Sequence, residues 1–188
     1  MSDAANSNPP APGTAPGNPP ALPLQMNLQY TKDLSFEVPS GPEIFATLRS
    51  NPAISVNIDV QANRLPGDQN VFEVVLSVKA EAAETAGEAG SAAAASSGRT
   101  VFIVELAYAA VVTLGDAPQS MFEPLLLVEV PRLIFPYARN IVSEVTRDGG
   151  FPPVVLQPID FVALWQAKRA QAAEQQQSLS NSEPVGHA

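Results

Sequence analysis

Between Ala53 and Asn63 every second side chain is apolar: Ile54, Val56, Ile58, Val60 and Ala62 alternate with Ser55, Asn57, Asp59, Gln61 and Asn63. A two-residue period sends successive side chains to opposite faces of an extended chain, so this segment is a one-sided strand that must lie in a sheet. Its neighbours are written in the same pattern. From Val71, the side chains of Phe72, Val74, Leu76 and Val78 face one way, and Glu73, Ser77 and Lys79 the other. Pro66-Gly67-Asp68 has turn chemistry, which makes these two segments an antiparallel hairpin. From Thr31, the apolar Leu34, Phe36 and Val38 alternate with Asp33, Ser35 and Glu37. A fourth segment, Thr100 to Leu114, is apolar on both faces apart from Glu105. Phe102, Val104, Leu106 and Tyr108 suit a core, which leaves Ile103, Ala107 and Val111 in need of another cover.

The period then changes. Ser120 and Glu123 have capping-box spacing ahead of the apolar run Leu125 to Val130, which predicts a short helix. Pro136 suits the first turn of a second helix, along which Ala138, Ile141, Val142 and Val145 recur, and Gly149-Gly150 ends it. Phe151 to Leu156 must be extended, because Pro152 and Pro153 cannot lie inside a helix. Asp160 is a good N-cap for a last helix carrying Phe161, Leu164, Trp165 and Lys168. Trp165 and Phe161 sit one turn apart, a stripe that reads as core. The expected class is α+β: a four-stranded antiparallel sheet followed by helices packed on one side.

Three stretches fall outside this pattern. Residues 1–28 are rich in Pro, Ala, Gly and Asn, with seven prolines in the first 23 positions, and are expected to be disordered. Residues 82–98, an Ala/Gly/Ser stretch, read as a flexible loop, and residues 171–188 as a fraying tail. The domain is therefore expected at 29–170. The chain has no cysteine, and its one histidine is His187, beside the terminus. Disulfides, cysteine-zinc sites, a Ser-His-Asp triad and a His-ligated metal are accordingly not expected. A net charge of −9 disfavours nucleic acid and anionic membrane and favours basic partners. The first basic residue is Lys32 and no apolar run approaches the roughly 20 residues that cross a bilayer, so a cytoplasmic protein without direct membrane insertion is expected.

Four blocks carry a resemblance: Tyr30-Thr-Lys-Asp-Leu-Ser-Phe-Glu37, Val71-Phe-Glu-Val-Val-Leu76, Leu133-Ile-Phe-Pro-Tyr-Ala-Arg139, and Gly149-Gly-Phe-Pro-Pro153 followed by Pro158-Ile-Asp-Phe161. In this order and spacing, over roughly residues 27–170, the chain resembles the SecB family of bacterial protein-export chaperones. The resemblance implies a homotetramer built as a dimer of dimers, with sheets outside and long helices between them. It implies a holdase that keeps unfolded precursor proteins export-competent in apolar grooves and delivers them to the motor ATPase SecA, with no catalysis and no cofactor. It places SecA docking on Asp33, Glu37, Ile103 and Glu105. The chain departs from the family in its long 82–98 stretch, in Val130 where a cysteine often precedes the proline, in Ala109-Ala110 for a more usual Ala-Gly, and in lacking an aromatic residue between Leu48 and Pro52.

Each of these readings has a plainer competitor. Asp33 and Glu37 are also what a solvated strand face would carry. As a glycosidase pair they fail, since four strand residues span about 13 Å and catalytic carboxylates sit roughly 5–9.5 Å apart. Val111, with Phe151, Pro152, Val154 and Leu156, reads either as the lining of a client groove or as ordinary core under the helices. Gly149-Gly150 is a helix stop and not a phosphate loop, because no Lys-Ser/Thr follows. Two functions stay open on the residues alone: a holdase for many unfolded chains, and an adaptor that binds one folded basic partner through the acidic sheet.

Overall fold

The computed structural model describes residues 23–48, 50–67, 70–84 and 98–181. Strand β1 (Leu24–Glu37) is followed by a short helix α1 (Glu43–Thr47), the hairpin β2 (Ala53–Arg64) and β3 (Val71–Ala83), and β4 (Thr100–Leu114). A helical stretch then runs unbroken from Gln119: a 3-10 turn to Met121, α2 (Phe122–Pro124), a π-helical turn Leu125–Glu129, and α3 (Val130–Asp148). An extended segment leads to α4 (Phe161–Asn181). The four strands form one antiparallel sheet in the order β1-β4-β3-β2. The expected α+β architecture is the one observed.

Pairing follows from the pattern. In β2 and β3, Val60 lies across from Leu76 and Ile58 from Val78, so the apolar face of one strand meets that of the other. β4, apolar on both faces, is central, with β1 and β3 on its two sides. On the helix-covered face Phe102, Val104, Leu106 and Val112 are buried, and Ile134, Ala138 and Val142 of α3 pack over them. Each of these side chains larger than alanine contributes about 1.5–3 kcal/mol on leaving water.

Several boundaries differ from the sequence reading. β1 begins at Leu24, not near 29, because Leu24 and Met26 find partners in Leu114 and Val112. Its alternation is also interrupted: register shifts at Asn27 and Lys32 invert the stretch between them. Leu28 and Tyr30 therefore share the outer face with Asp33, Ser35 and Glu37, whereas Gln29 and Thr31 turn toward the helices. Such bulges leave no trace in a two-residue period. Ser120 lies inside the 3-10 turn and caps nothing, since no side chain caps that start or α2. Pro136 sits inside α3 and does not open a new helix. An interior proline costs about 3 kcal/mol, but Pro136 is on the exposed face, and burial of Ile134, Phe135, Ala138 and Val142 on either side carries the helix through it.

The end of α3 matches the reading: Gly150 has φ +88°, and the amides of Gly149, Gly150 and Phe151 close onto the carbonyls of Val145, Arg147 and Thr146. Asp160 caps α4 through two bonds of 3.0 Å from the amides of Val162 and Ala163 to its Oδ1. α4 continues to Asn181, past the expected fraying point. Phe161 is buried edge-on to Phe135, while the partly exposed Trp165 donates its indole N–H to Glu123 (2.9 Å). Lys168 reaches the β2 edge, donating to the carbonyl of Val60 (3.1 Å) and pairing with Asp59. Of the stretches expected to be disordered or flexible (1–28, 82–98 and 171–188), residues 24–28 belong to β1 and the buried Ala82 and Ala83 end β3, against expectation, while 1–22, 85–97 and 182–188 lie outside the described residues.

Candidate functional site

The two faces of the sheet offer different chemistry. On the outer face Asp33 lies across from Ala107, Ser35 from Glu105, and Glu37 from Ile103, so β1 and β4 together present three carboxylates. β3 continues the row, with Lys79 across from Glu105 and Glu81 from Ile103. Lys79 Nζ pairs with Glu105 at 2.6 Å, both side chains about half exposed (48% and 50%). The Glu105 carboxylate holds the Lys79 ammonium protonated above its ordinary range, helped by Glu81 and Glu37. A shallow depression of about 270 Å³ lies here, walled by Asp33, Asp59, Lys79 and Glu105. The structure thus brings together all four residues expected in the acidic patch: Asp33, Glu37, Ile103 and Glu105.

Further along the same face, Tyr30 and Lys32 both bond Glu73 across β4, Lys32 at 2.7 Å. These bonds, Lys32 first, hold the Glu73 carboxyl below its usual range, and the Glu73 bond raises the Tyr30 phenol. Ala109, across from Tyr30, is fully buried although it faces away from the helices.

On the helix face, two clefts run along the extended segment after α3. The first, about 710 Å³, is walled by Leu48, Asn51, Pro52, Ile54, Phe102, Phe151 and Pro152. The second, about 490 Å³, lies between Ile54, Val56 and Ile58 of β2 and residues 153–159. Ile54 and Pro153 line both, so the clefts adjoin. Their floor is apolar and open: Ile54 is 45% and Val56 46% exposed. Aromatic rings close one end, with Phe151 4.9 Å from both Phe45 and Phe102.

The expected groove residues divide. Phe151, Val154 and Leu156 are buried and fasten the segment to the core, while Pro152 and Val155 between them face outward. Val111 does not join them. It lies across from Glu73 and Leu28, on the face of β4 opposite to Phe102, and Phe102 is the β4 residue whose ring packs, tilted by 45°, against Phe151. Strand alternation puts one residue of such a pair on each side of the sheet. Ile54, Val56 and Val155 were missed as lining, because a regular period marks a strand's apolar face without saying how far the helices extend over it. Phe45 was missed because α1 is too short to show a period. It supplies an aromatic ring near the Leu48–Pro52 stretch where the sequence lacks one.

Comparison with known proteins now decides the family. The model of "Preprotein translocase subunit SecB" matches residues 18–172. The chain belongs to the SecB family. A "Protein-export protein SecB 1" of Gluconobacter oxydans is 75% identical over 154 residues, covering 82% of this chain and 87% of that one. The SecB of Gluconacetobacter diazotrophicus is 68% identical, covering 90% and 95%. The fold is shared with a Mycobacterium tuberculosis SecB-like chaperone in complex with a ChAD peptide from an antitoxin, at a TM-score of 0.56 and 14% identity, covering 72% of this chain and 90% of that one. SecB proteins are export chaperones and not enzymes. No helix among the described residues is long and apolar enough to cross a membrane.

Proposed function

We propose that this SecB-family chain holds unfolded precursor proteins in the adjoining clefts beside β2 and delivers them, in the cytoplasm, to the SecA motor through the acidic outer face. The observation that carries the reading is the open apolar floor, Ile54 and Val56 about half exposed beneath a proline-stiffened wall. An apolar, shape-tolerant cleft suits extended segments of many sequences, because burial is non-directional and asks little of side-chain order. Asp33, Glu37 and Glu105 with Ile103 form a separate surface of opposite character, suited to a basic segment. Two ligands can thereby be held at once.

Assembly as a homotetramer is part of the same proposal. β1 is an edge strand, with Leu28 and Leu34 exposed along it, and Leu133 and Tyr137 stand exposed on α3. Bare edges and apolar helix faces of this kind are usually covered by another chain. The test is whether the protein, at one assembly per client, slows refolding of an unrelated denatured protein. Slowed refolding of several unrelated clients supports the proposal. Indifference to all of them, with tight binding of one folded basic protein, would make the chain an adaptor.

A further inference from the structure

Thr146 is the one buried polar side chain in the described core, fully shielded at 0% exposure. It lies in the last turn of α3, and its hydroxyl can donate to the carbonyl of Val142 (2.9 Å) or Ser143 (3.1 Å). That leaves an oxygen lone pair, and the amide of Val154 donates to it at 3.0 Å. The backbone carbonyl of the same residue accepts from Phe151 N–H at 3.1 Å. Thr146 thus receives two amides from the segment that walls the cleft, one on its main chain and one on its side chain.

The position of those amides gives the bond its meaning. Pro152 and Pro153, between Phe151 and Val154, have no N–H, so they cannot fasten the wall by donating. Among residues 151–154 the only donors are therefore the two that Thr146 takes. Pro153 lines both parts of the cleft, and Val154 follows it directly. The Val154 bond also fixes the alternation that follows, with Val154 and Leu156 inward and Val155 outward. A peg at Val154 sets how far Pro153 and Val155 stand from Ile54 and Val56.

We propose that Thr146 is a positioning residue for client holding: its hydroxyl, as acceptor for Val154 N–H, fixes the width of the cleft and so the residence time of a bound segment. This rests on the reading of the cleft as the client site. The test compares Thr146→Val, which keeps the shape and removes the acceptor, with Thr146→Ser, which keeps the acceptor. An unfolded, permanently denatured protein serves as the probe. In Thr146→Val the Val154 amide should exchange with solvent at least about tenfold faster while the α3 amides stay protected, and the client should dissociate roughly five- to tenfold faster, the scale of one buried hydrogen bond. Thr146→Ser should restore both. Wild-type client release from Thr146→Val with a freely exchanging Val154 amide overturns the proposal. So does equally fast release from both variants, which would make the methyl group responsible. Should Thr146→Val fail to assemble, Thr146→Ser decides: wild-type exchange and release support the role, and accelerated release refutes it. Ile54→Glu, a charge on the floor of both clefts, separates the underlying reading: if that variant holds the client normally, the cleft is not the client site.

Discussion

Replacing Asp33 and Glu37 by lysine reverses two exposed charges on the outer face of the sheet. They stand four residue steps apart along the strand, a span of about 13 Å, beyond the Debye length of about 8 Å at physiological salt. The two carboxylates therefore act on separate cations of a partner, and their effects add. An exposed pair contributes about 0.2–1 kcal/mol. Reversal removes each attraction and introduces a repulsion of similar size, so the loss is about 1–4 kcal/mol per docked chain, roughly five- to several-hundred-fold in affinity. If several chains of one assembly dock together, the losses multiply. The fold should be indifferent: surface changes of this kind stay within about ±0.5 kcal/mol, and Glu37→Lys removes only one of three carboxylates acting on Lys79. The assay is SecA binding by titration at low and high salt, beside client holding on the same preparation. The expected result is motor binding at least about fivefold weaker at low salt, a smaller deficit at high salt, and client holding unchanged. Undiminished motor binding would show these carboxylates to be only a solvated face. Joint loss of both activities would show that the face is not separable from the client site.

Other perturbations probe the core, the outer face and the termini. Phe151→Ala removes a ring packed on Phe36, Phe45 and Phe102 and should cost about 3–5 kcal/mol in urea denaturation at fixed protomer concentration; a loss below about 1 kcal/mol would contradict the packing. Glu73 has a folded carboxyl pKa held below its unfolded value by Lys32 and Tyr30. Its contribution is thus present above about pH 4.3 and lost as pH falls through the lower folded value, so Glu73→Gln should flatten the acid limb of a stability–pH profile. Deleting residues 1–22 should leave the number of chains per assembly and the melting temperature unchanged, whereas deleting 1–28 strips Leu24 and Met26 from their partners Leu114 and Val112 and should lower the melting temperature.

The sheet was legible because β2 and β3 keep a strict alternation, with Pro66-Gly67 marking the turn between them. β4 was legible as a strand apolar on both faces, but its place between β1 and β3 was not. What stayed hidden depended on events outside the local pattern. The bulges at Asn27 and Lys32 restore the apolar face on each side of them, so the alternation seen from Thr31 onward looked complete. Pro136 read as a helix start by its own chemistry and was overruled by the burial of its neighbours. Of the acidic patch, alternation on β1 made Asp33 and Glu37 legible as one face, whereas Ile103 and Glu105 came only from the family resemblance. The cleft was legible only as its stiff wall, Phe151–Leu156. Its floor, Ile54 and Val56, carries the same sequence signal as buried core, and Val111 was assigned to the cleft although strand parity places it on the other face.

The central claim is that unfolded segments are held by apolar burial in the cleft beside β2 and not by the acidic face. Calorimetric titration of an unfolded, weakly charged client, repeated across temperature and salt, tests it most directly. Burial in the cleft predicts a negative heat-capacity change and an affinity that hardly moves with salt. An affinity that tracks the positive charge of the client and collapses in high salt, with little heat-capacity change, would contradict it.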